Sequence, residues 1–232
     1  RSGVGLEQFE ELYYEVQGLS QIRIEGVCSH FASSEEDLEF SISQLQCFES
    51  ILQKLQPKPA VIHIANSSAV VNKLLGVSNM ARLGILSFGV YTNESQKEII
   101  QLKTVMSFKS RIALIKQIKA GEGLGYNLTW IAPKDSRYAV VPVGYADGYD
   151  FMLSNKAKVS IHSQLCDVIG KVSMDMICVD VSQIPDAELM DEVILMGAVN
   201  QLHPEQLSSL YHGSSYELLC QVGRRAKRYY LE

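Results

Sequence analysis

Three polar side chains in the first half of the sequence stand where short apolar runs end: His30, Ser67 and Arg82. A guanidinium and a hydroxyl are groups that bind anions, and an imidazole can exchange a proton near neutral pH. In a βα barrel the carboxyl ends of successive strands face one site, so these side chains are expected to converge. Together they predict an anion site of phosphate size.

Each of these residues also has a structural interpretation. Asn66 and Ser67 can donate hydrogen bonds to an anion, but they can equally cap the helix that follows. Arg82 precedes Gly84, whose turn would let backbone N–H groups approach a phosphate, yet an arginine beside a helix-entry glycine is common in structural roles. A lone histidine such as His30 is more often structural than catalytic. The residue types alone leave both interpretations open.

Tyrosines beside glycines characterise the second half of the chain. Tyr126 directly follows the glycine-rich turn 121–125, and Tyr145 lies in the segment 143–149, where glycines bracket two tyrosines. Tyrosines often pack over glycines in ordinary hairpins, so this pattern assigns them no chemistry by itself. The remaining candidates lie in a plain loop or have no distinctive local context: Met174, Asp175 and Tyr216.

Up to about residue 89, helical stripes alternate with short apolar runs, which is typical of βα units feeding a buried parallel sheet. One helix is predicted over residues 6–16, and a second follows a capping box at 33–36. Strands are predicted at 22–28, 60–64 and 81–83. Three parallel strands would leave raw edges and an uncovered core, so we expect further strands upstream of Arg1.

From residue 105 onward the pattern changes to short strands separated by turn residues, which indicates a separate all-β domain. We therefore divide the chain into domains at 1–102 and 103–232. A short helix is predicted at 204–210. The predicted strands are 111–118, 138–143, 158–161, 177–181 and 192–196.

Composition and net charge disfavour several classes of function. The chain has 232 residues and a net charge of -5, which disfavours partners such as nucleic acid or an anionic membrane, because both attract basic surfaces. Its five cysteines show no zinc-type spacing and predict no disulfide framework and no metal, as expected in a reducing cytoplasm. No apolar run approaches the roughly 18 residues of a membrane-spanning helix. A small-molecule ligand fits these properties best.

Six collinear motifs resemble the alanine racemase family across nearly the whole chain. They are His-Phe-Ala at 30–32, Ala-Asn-Ser at 65–67, Arg-Leu-Gly-Ile at 82–85, Leu-Gly-Tyr at 124–126, Val-Pro-Val-Gly-Tyr-Ala-Asp-Gly at 141–148 and Ser-Met-Asp at 173–175. The resemblance implies an α/β plus all-β fold, in which part of a (βα)8 TIM-type barrel is followed by a carboxy-terminal β-domain. It also implies a homodimer that shares its active site between subunits.

The resemblance further implies pyridoxal 5'-phosphate at the mouth of the barrel. Arg82 would bond the pyridine nitrogen without protonating it, because a guanidinium keeps its proton. His63 would orient Arg82, while Ser67, the backbone at 84–85 and the Tyr216 hydroxyl would hold the phosphate. The implied cofactor-binding residues are His63, Asn66, Ser67, Arg82, Gly84, Ile85 and Tyr216.

Racemisation needs a base on each face of the substrate α-carbon, and the resemblance assigns Tyr126 as the base for the L-enantiomer. Tyr126 would be delivered from the second subunit and activated through the chain of His30 and Arg82. The implied catalytic residues are therefore Tyr126, His30 and Arg82. The implied substrate-binding residues are Met174, Asp175, Tyr145 and Arg1.

The second base in the family is the lysine that forms the Schiff base with the cofactor, within a Val-Lys-Ala-x-Ala-Tyr-Gly type run. No lysine in this sequence has that context. The resemblance thus implies that the intact protein interconverts L- and D-alanine for peptidoglycan, whereas these residues alone are expected to be inactive. Departures at Asn127, Trp130 and Met176 leave room for an altered substrate preference, so a racemase of serine or another small amino acid stays open. The missing lysine leaves open a catalytically inactive fragment.

Overall fold

The computed structural model describes residues 2–223 and 225–231, and the chain divides into two compact units. The first unit runs up to Ser87 and also includes Tyr91–Leu102. The second unit includes Phe88–Val90 and the chain from Lys103 onward. Within the described ranges, no helix combines the length and apolarity needed to cross a lipid bilayer.

The first unit is built from helices around a short parallel sheet. Its elements are α1 (Leu6–Gln17), β1 (Gly26–Cys28), α2 (Leu38–Leu52), β2 (Val61–His63) and α3 (Ser67–Val71). Strands β1 and β2 pair in parallel, with Cys28 opposite His63, so both strands end at the same edge. Phe48 and Leu52 of α2 are buried in the core beside Val27, which fixes the crossover helix against the sheet.

Helix α2 begins later than the sequence pattern indicated. Residues 33–36 form a turn rather than a capping box, and the N-cap is Asp37, whose carboxylate accepts a hydrogen bond from Phe40 N at 2.9 Å. Aspartate is among the strongest N-cap residues, and its bond satisfies one of the free N–H groups of the first turn. The helix therefore begins at Leu38.

The predicted strand at 81–83 is wrong. Arg82 N donates to Ala65 O at 2.9 Å, but no ladder develops and these residues have no strand conformation. A 3-10 helix at Ile85–Phe88 follows directly, so the extended conformation does not continue. The single backbone bond is nevertheless enough to bring Arg82 beside the ends of β1 and β2.

The second unit is a curled antiparallel sheet of seven strands in the order β3, β11, β8, β9, β10, β7, β4, and a separate hairpin of β5 and β6. The strands are β3 (Phe108–Arg111), β4 (Leu114–Ile118), β5 (Gly123–Leu124), β6 (Trp130–Ile131), β7 (Ser136–Val141), β8 (Lys158–Ile161), β9 (Gln164–Ile169), β10 (Ile177–Asp180) and β11 (Glu192–Met196). Two helices follow, α4 (Pro204–Ser209) and α5 (Ser215–Gln221).

The single strand predicted at 111–118 is two strands, and the break shapes the sheet. Ile112 N donates to Asp191 O, whereas Ala113 N donates to Val140 O, so the chain changes pairing partner between two adjacent residues. Because β3 and β4 lie at opposite ends of the strand order, this short connection requires the sheet to curl. Ile112 is fully buried at the bend. Its apolar side chain explains why periodicity did not reveal the break.

Candidate active site

The ends of β1 and β2 hold the guanidinium of Arg82. Its Nη2 atom donates to Ser29 O at 2.9 Å and lies 2.9 Å from His30 Nδ1, just after β1. Its Nη1 atom forms a short hydrogen bond with His63 Nδ1 at the end of β2. The structure thus brings together three residues that the sequence singled out from separate segments: His30, His63 and Arg82.

His63 is suited to accept a hydrogen bond rather than to carry a charge. Burial is the main cause that lowers the pKa of His63 below its ordinary value of 6.5, and the positive charge of Arg82 lowers it further. A neutral imidazole has one ring nitrogen that accepts, and Nδ1 faces the guanidinium. The pair therefore fixes one permanent cation at the edge of the parallel sheet.

A second group of donors lies where α3 begins. Ser67 is 3% exposed, and its Oγ accepts a hydrogen bond from Gly84 N at 2.8 Å. Ile85 is the first residue of its 3-10 helix, where N–H groups lack partners within the helix. The Ser67 hydroxyl thus lies beside two consecutive backbone N–H groups, and the first of them is bonded to it. Phosphate binding by Ser67, Gly84 and Ile85 stays a prediction.

Asn66 caps a helix in this structure. Its Oδ1 atom accepts from Ala69 N at 3.0 Å and from Ser34 Oγ at 2.8 Å. These bonds correspond to the capping interpretation that the sequence left open. The side-chain oxygen of Asn66 is therefore engaged in fixing the start of α3, which in turn positions Ser67.

The donor set fits a phosphate-bearing ligand. Hydroxyl and backbone N–H groups donate to phosphate oxygens, and the cation of Arg82 lies on the same unit. A Cβ atom built on Gly84 would meet Ser67 Oγ at 3.9 Å, which is ordinary van der Waals contact, so its neighbours do not require glycine at this position.

On the second unit, Tyr126 is presented by a tight turn. It opens a 3-10 helix directly after Gly125, which has a φ of +75°, a conformation that favours glycine. A Cβ on Gly125 would also lie 3.5 Å from Lys171 N. Tyr126 is 69% exposed, so its phenol is accessible from solvent.

Two further turns of this unit carry the other substrate candidates. Tyr145 N donates to Ser173 O, and Ala146 N donates to Met174 O, each at 3.1 Å. A Cβ on Gly144 would lie 2.2 Å from Ser173 O, so this close approach requires glycine. The backbone thereby places Tyr145 beside Met174, two residues that lie far apart in the sequence.

The structure shows less about the predicted roles of the remaining sequence candidates. Tyr216 lies in α5 and is half exposed, and its phosphate role stays a prediction. Arg1 lies outside the described residues.

Sequence reasoning missed Arg225, which pairs with both Asp147 and Asp175. The only signal for it was a basic segment near the end of the chain, a pattern that is usually solvated.

Comparison with known protein families shows which family the chain belongs to. Residues 1–92 match the family model described as alanine racemase, N-terminal domain, and residues 105–230 match the model described as alanine racemase, C-terminal domain. The chain belongs to the alanine racemase family. The resemblance inferred from the six motifs is confirmed.

Individual members of the family agree with this assignment. The chain is 35% identical to an alanine racemase of Desulfovibrio desulfuricans, covering 100% of this chain and 63% of the relative. It is 37% identical to one of Syntrophobacter fumaroxidans, covering 97% of this chain and 61% of the relative. The chain thus spans about three fifths of the length of these relatives.

Solved structures of the family share the fold. An alanine racemase of Clostridium difficile 630 superposes with a TM-score of 0.89 at 32% identity, covering 97% of this chain and 60% of that one. The alanine racemase of D-cycloserine-producing Streptomyces lavendulae superposes with a TM-score of 0.90 at 28% identity, covering 100% of this chain and 63% of that one. The predicted fold class, part of a βα barrel followed by a β-domain, is confirmed.

Proposed function

We propose that the whole protein interconverts L- and D-alanine with pyridoxal phosphate. The observation that carries the proposal is the Arg82 guanidinium, held by both histidines on the same unit as the Ser67 and Gly84 donors. The names of the relatives agree with this reaction.

The first unit would hold the cofactor. When bound, pyridoxal phosphate supplies an electron-withdrawing ring that acidifies the α-hydrogen of an amino acid. Ser67, Gly84 N and Ile85 N would hold the phosphate, and Arg82 would face the ring nitrogen. Because a guanidinium keeps its proton, Arg82 would donate a hydrogen bond without protonating the ring. Arg82 would thereby disfavour side reactions that need a protonated ring nitrogen, such as transamination.

The second unit would supply a proton-transfer group and the substrate entrance. Tyr126 would remove or return the α-proton of L-alanine, and its exposed turn is suited to reaching the site of a second subunit in a homodimer. Tyr145, Met174 and Asp175 would line the entrance. The family's second base is a lysine in a Val-Lys-Ala type run, and no lysine in residues 1–232 has that context.

We further propose a cytoplasmic enzyme that supplies D-alanine for peptidoglycan. All five cysteines are free thiols, which suits a reducing compartment. The net charge of -5 supports a small amino acid as substrate rather than nucleic acid or a membrane surface.

An assay of the purified whole protein tests this function. With pyridoxal phosphate bound, the protein is expected to form D-alanine from L-alanine faster than it forms D-serine from L-serine. Arg82→Gln is expected to reduce racemisation at least about a hundredfold, because the substitution removes a charge-assisted contact to the ring. Faster turnover of serine would reassign the substrate. Absence of racemisation of both amino acids by the cofactor-loaded protein would overturn the proposal.

A further inference from the structure

An ion-pair bridge connects two turns of the second unit that carry substrate candidates. The first turn, residues 144–147, carries Tyr145, and the second turn, residues 173–176, carries Met174 and Asp175. Arg225 Nη2 donates to Asp175 Oδ1 at 2.7 Å, and Arg225 Nε lies 3.2 Å from Asp147 Oδ1. Asp147 closes the first turn, since its Oδ2 accepts from Gly144 N at 2.9 Å. Asp175 lies at the tip of the second turn. One guanidinium therefore links Asp147, two residues after Tyr145, to Asp175.

Gly223 is itself fixed to the first turn. Its N donates to Asp147 O at 3.1 Å, which brings the chain close to Asp147 two residues before Arg225. The side chain of Asp147 is 16% exposed, whereas those of Asp175 and Arg225 are about half exposed. The pair with Asp175 is thus accessible to water and contributes little to folding stability. Its effect should appear in ligand binding rather than in unfolding.

We propose that Arg225 is a positioning residue that holds Asp175 and offsets its negative charge where a carboxylate-bearing substrate enters. This inference rests on the proposed function. An amino acid brings a carboxylate past the Met174–Asp175 tip, and an unpaired Asp175 would repel it. Loss of Arg225 would leave two carboxylates, Asp147 and Asp175, without the cation between them. The carboxylate of the incoming amino acid would then meet two uncompensated negative charges.

Steady-state kinetics of the cofactor-loaded whole protein test the proposal. Arg225→Gln is expected to raise KM for L-alanine about fivefold with kcat changed less than about twofold, because the repulsion acts on binding. Added salt should reduce this difference in KM, since ions screen exposed charges. Arg225→Lys keeps the charge and should restore most of the affinity.

A double variant separates charge from fold. If Arg225 acts through Asp175, then Arg225→Gln combined with Asp175→Asn should have a KM within about twofold of Asp175→Asn alone. A KM that stays high in the double variant, or a loss confined to kcat, would overturn the proposal. So would an unchanged KM in Arg225→Gln. Absence of racemisation by the unmodified whole protein would instead contradict the proposed function.

Discussion

The two units of the chain bury their apolar side chains to different degrees. In the second unit, strands of the seven-stranded sheet line a large core in which residues such as Val159, Val179 and Leu195 are fully buried. In the first unit, the sheet has two strands, and large apolar side chains such as Phe40 and Leu83 are exposed. The partial barrel exposes apolar surface, as expected from the sequence.

This difference extends to how each unit holds its site residues. Arg82 and Ser67 are positioned by hydrogen bonds to strand ends and to a helix start. Tyr126 follows β5 of the separate hairpin, whereas Tyr145 and Met174 lie in two turns that backbone hydrogen bonds join. Substitutions in the second unit should therefore act mainly through packing, whereas those in the first should act mainly through polar contacts.

The largest expected effect comes from the core of the second unit. Leu195→Ala removes a fully buried side chain and should lower the free energy of unfolding by about 3 kcal/mol. Leu189→Ala is the matched control, because Leu189 is exposed in the same unit. Urea unfolding followed by circular dichroism measures both. A similar loss for the two variants would contradict the description of the core.

The close approach of the two substrate turns gives the next effect. Gly144→Ala places a Cβ against Ser173 O and Met174 O, so the turns must separate at a cost of about 2 kcal/mol. Gly3→Ala is a control, since nothing lies within 4 Å of a Cβ there. Urea unfolding should also show this loss, and unchanged stability would mean that the two turns yield without strain.

In the first unit, substitutions of Asn66 distinguish its role as a helix cap from its predicted role in cofactor binding. Asn66→Ala should lower the free energy of unfolding by about 1 kcal/mol, because the first-turn N–H groups lose their acceptor. Asn66→Ser keeps a neutral acceptor oxygen and should retain most of that stability. Unfolding and pyridoxal phosphate titrations of both variants measure the two roles. A loss of cofactor affinity in the stable serine variant would show that the amide binds the cofactor directly.

The smallest expected effect is a pH dependence through His63. The folded state keeps its imidazole neutral, because burial and then Arg82 lower its pKa below 6.5. The unfolded chain therefore binds the proton first, so the stabilisation is present above pH 6.5 and is lost as the pH falls through the lower pKa of the folded state. Unfolding measured against pH should show this slope, and His63→Gln should flatten it. An identical slope in the variant would assign the effect to other groups.

Local pattern predicted most elements of the fold. The helical stripe at 6–16 corresponds to α1, and the strands at 158–161 and 192–196 match β8 and β11. The break at Ile112 and the late start of α2 were missed, since the first depends on which strand each residue pairs with and the second on competition between nearby caps. Such choices are made by tertiary contacts, not by periodicity.

The candidate site shows the same limit. Residue types at the strand ends predicted that His30 and Arg82 would converge, because parallel strands bring their ends to one edge. Arg82 reaches this edge although no strand forms at 81–83, through its backbone bond to Ala65. The Arg225 bridge could not be predicted. It depends on backbone bonds that join segments around residues 147, 175 and 223, and an exposed basic residue near the end of a chain carries no signal of its own.

The central claim is that the first unit binds the cofactor while Tyr126 of the second transfers the proton of L-alanine. Racemisation rates cannot test this assignment, because enantiomers have equal free energies and a variant loses the same kcat/KM in both directions. Exchange of the α-hydrogen with deuterated solvent can test the assignment, because each enantiomer gives its proton to a different base. Tyr230→Phe, at an exposed tyrosine, is the matched control for Tyr126→Phe.

The decisive measurement is α-hydrogen exchange by the cofactor-loaded whole protein carrying Tyr126→Phe. We expect exchange from L-alanine to fall at least about a hundredfold, while exchange from D-alanine and the bound cofactor content stay near those of the control. Undiminished exchange from L-alanine, or equal loss from both enantiomers, would contradict the role of Tyr126.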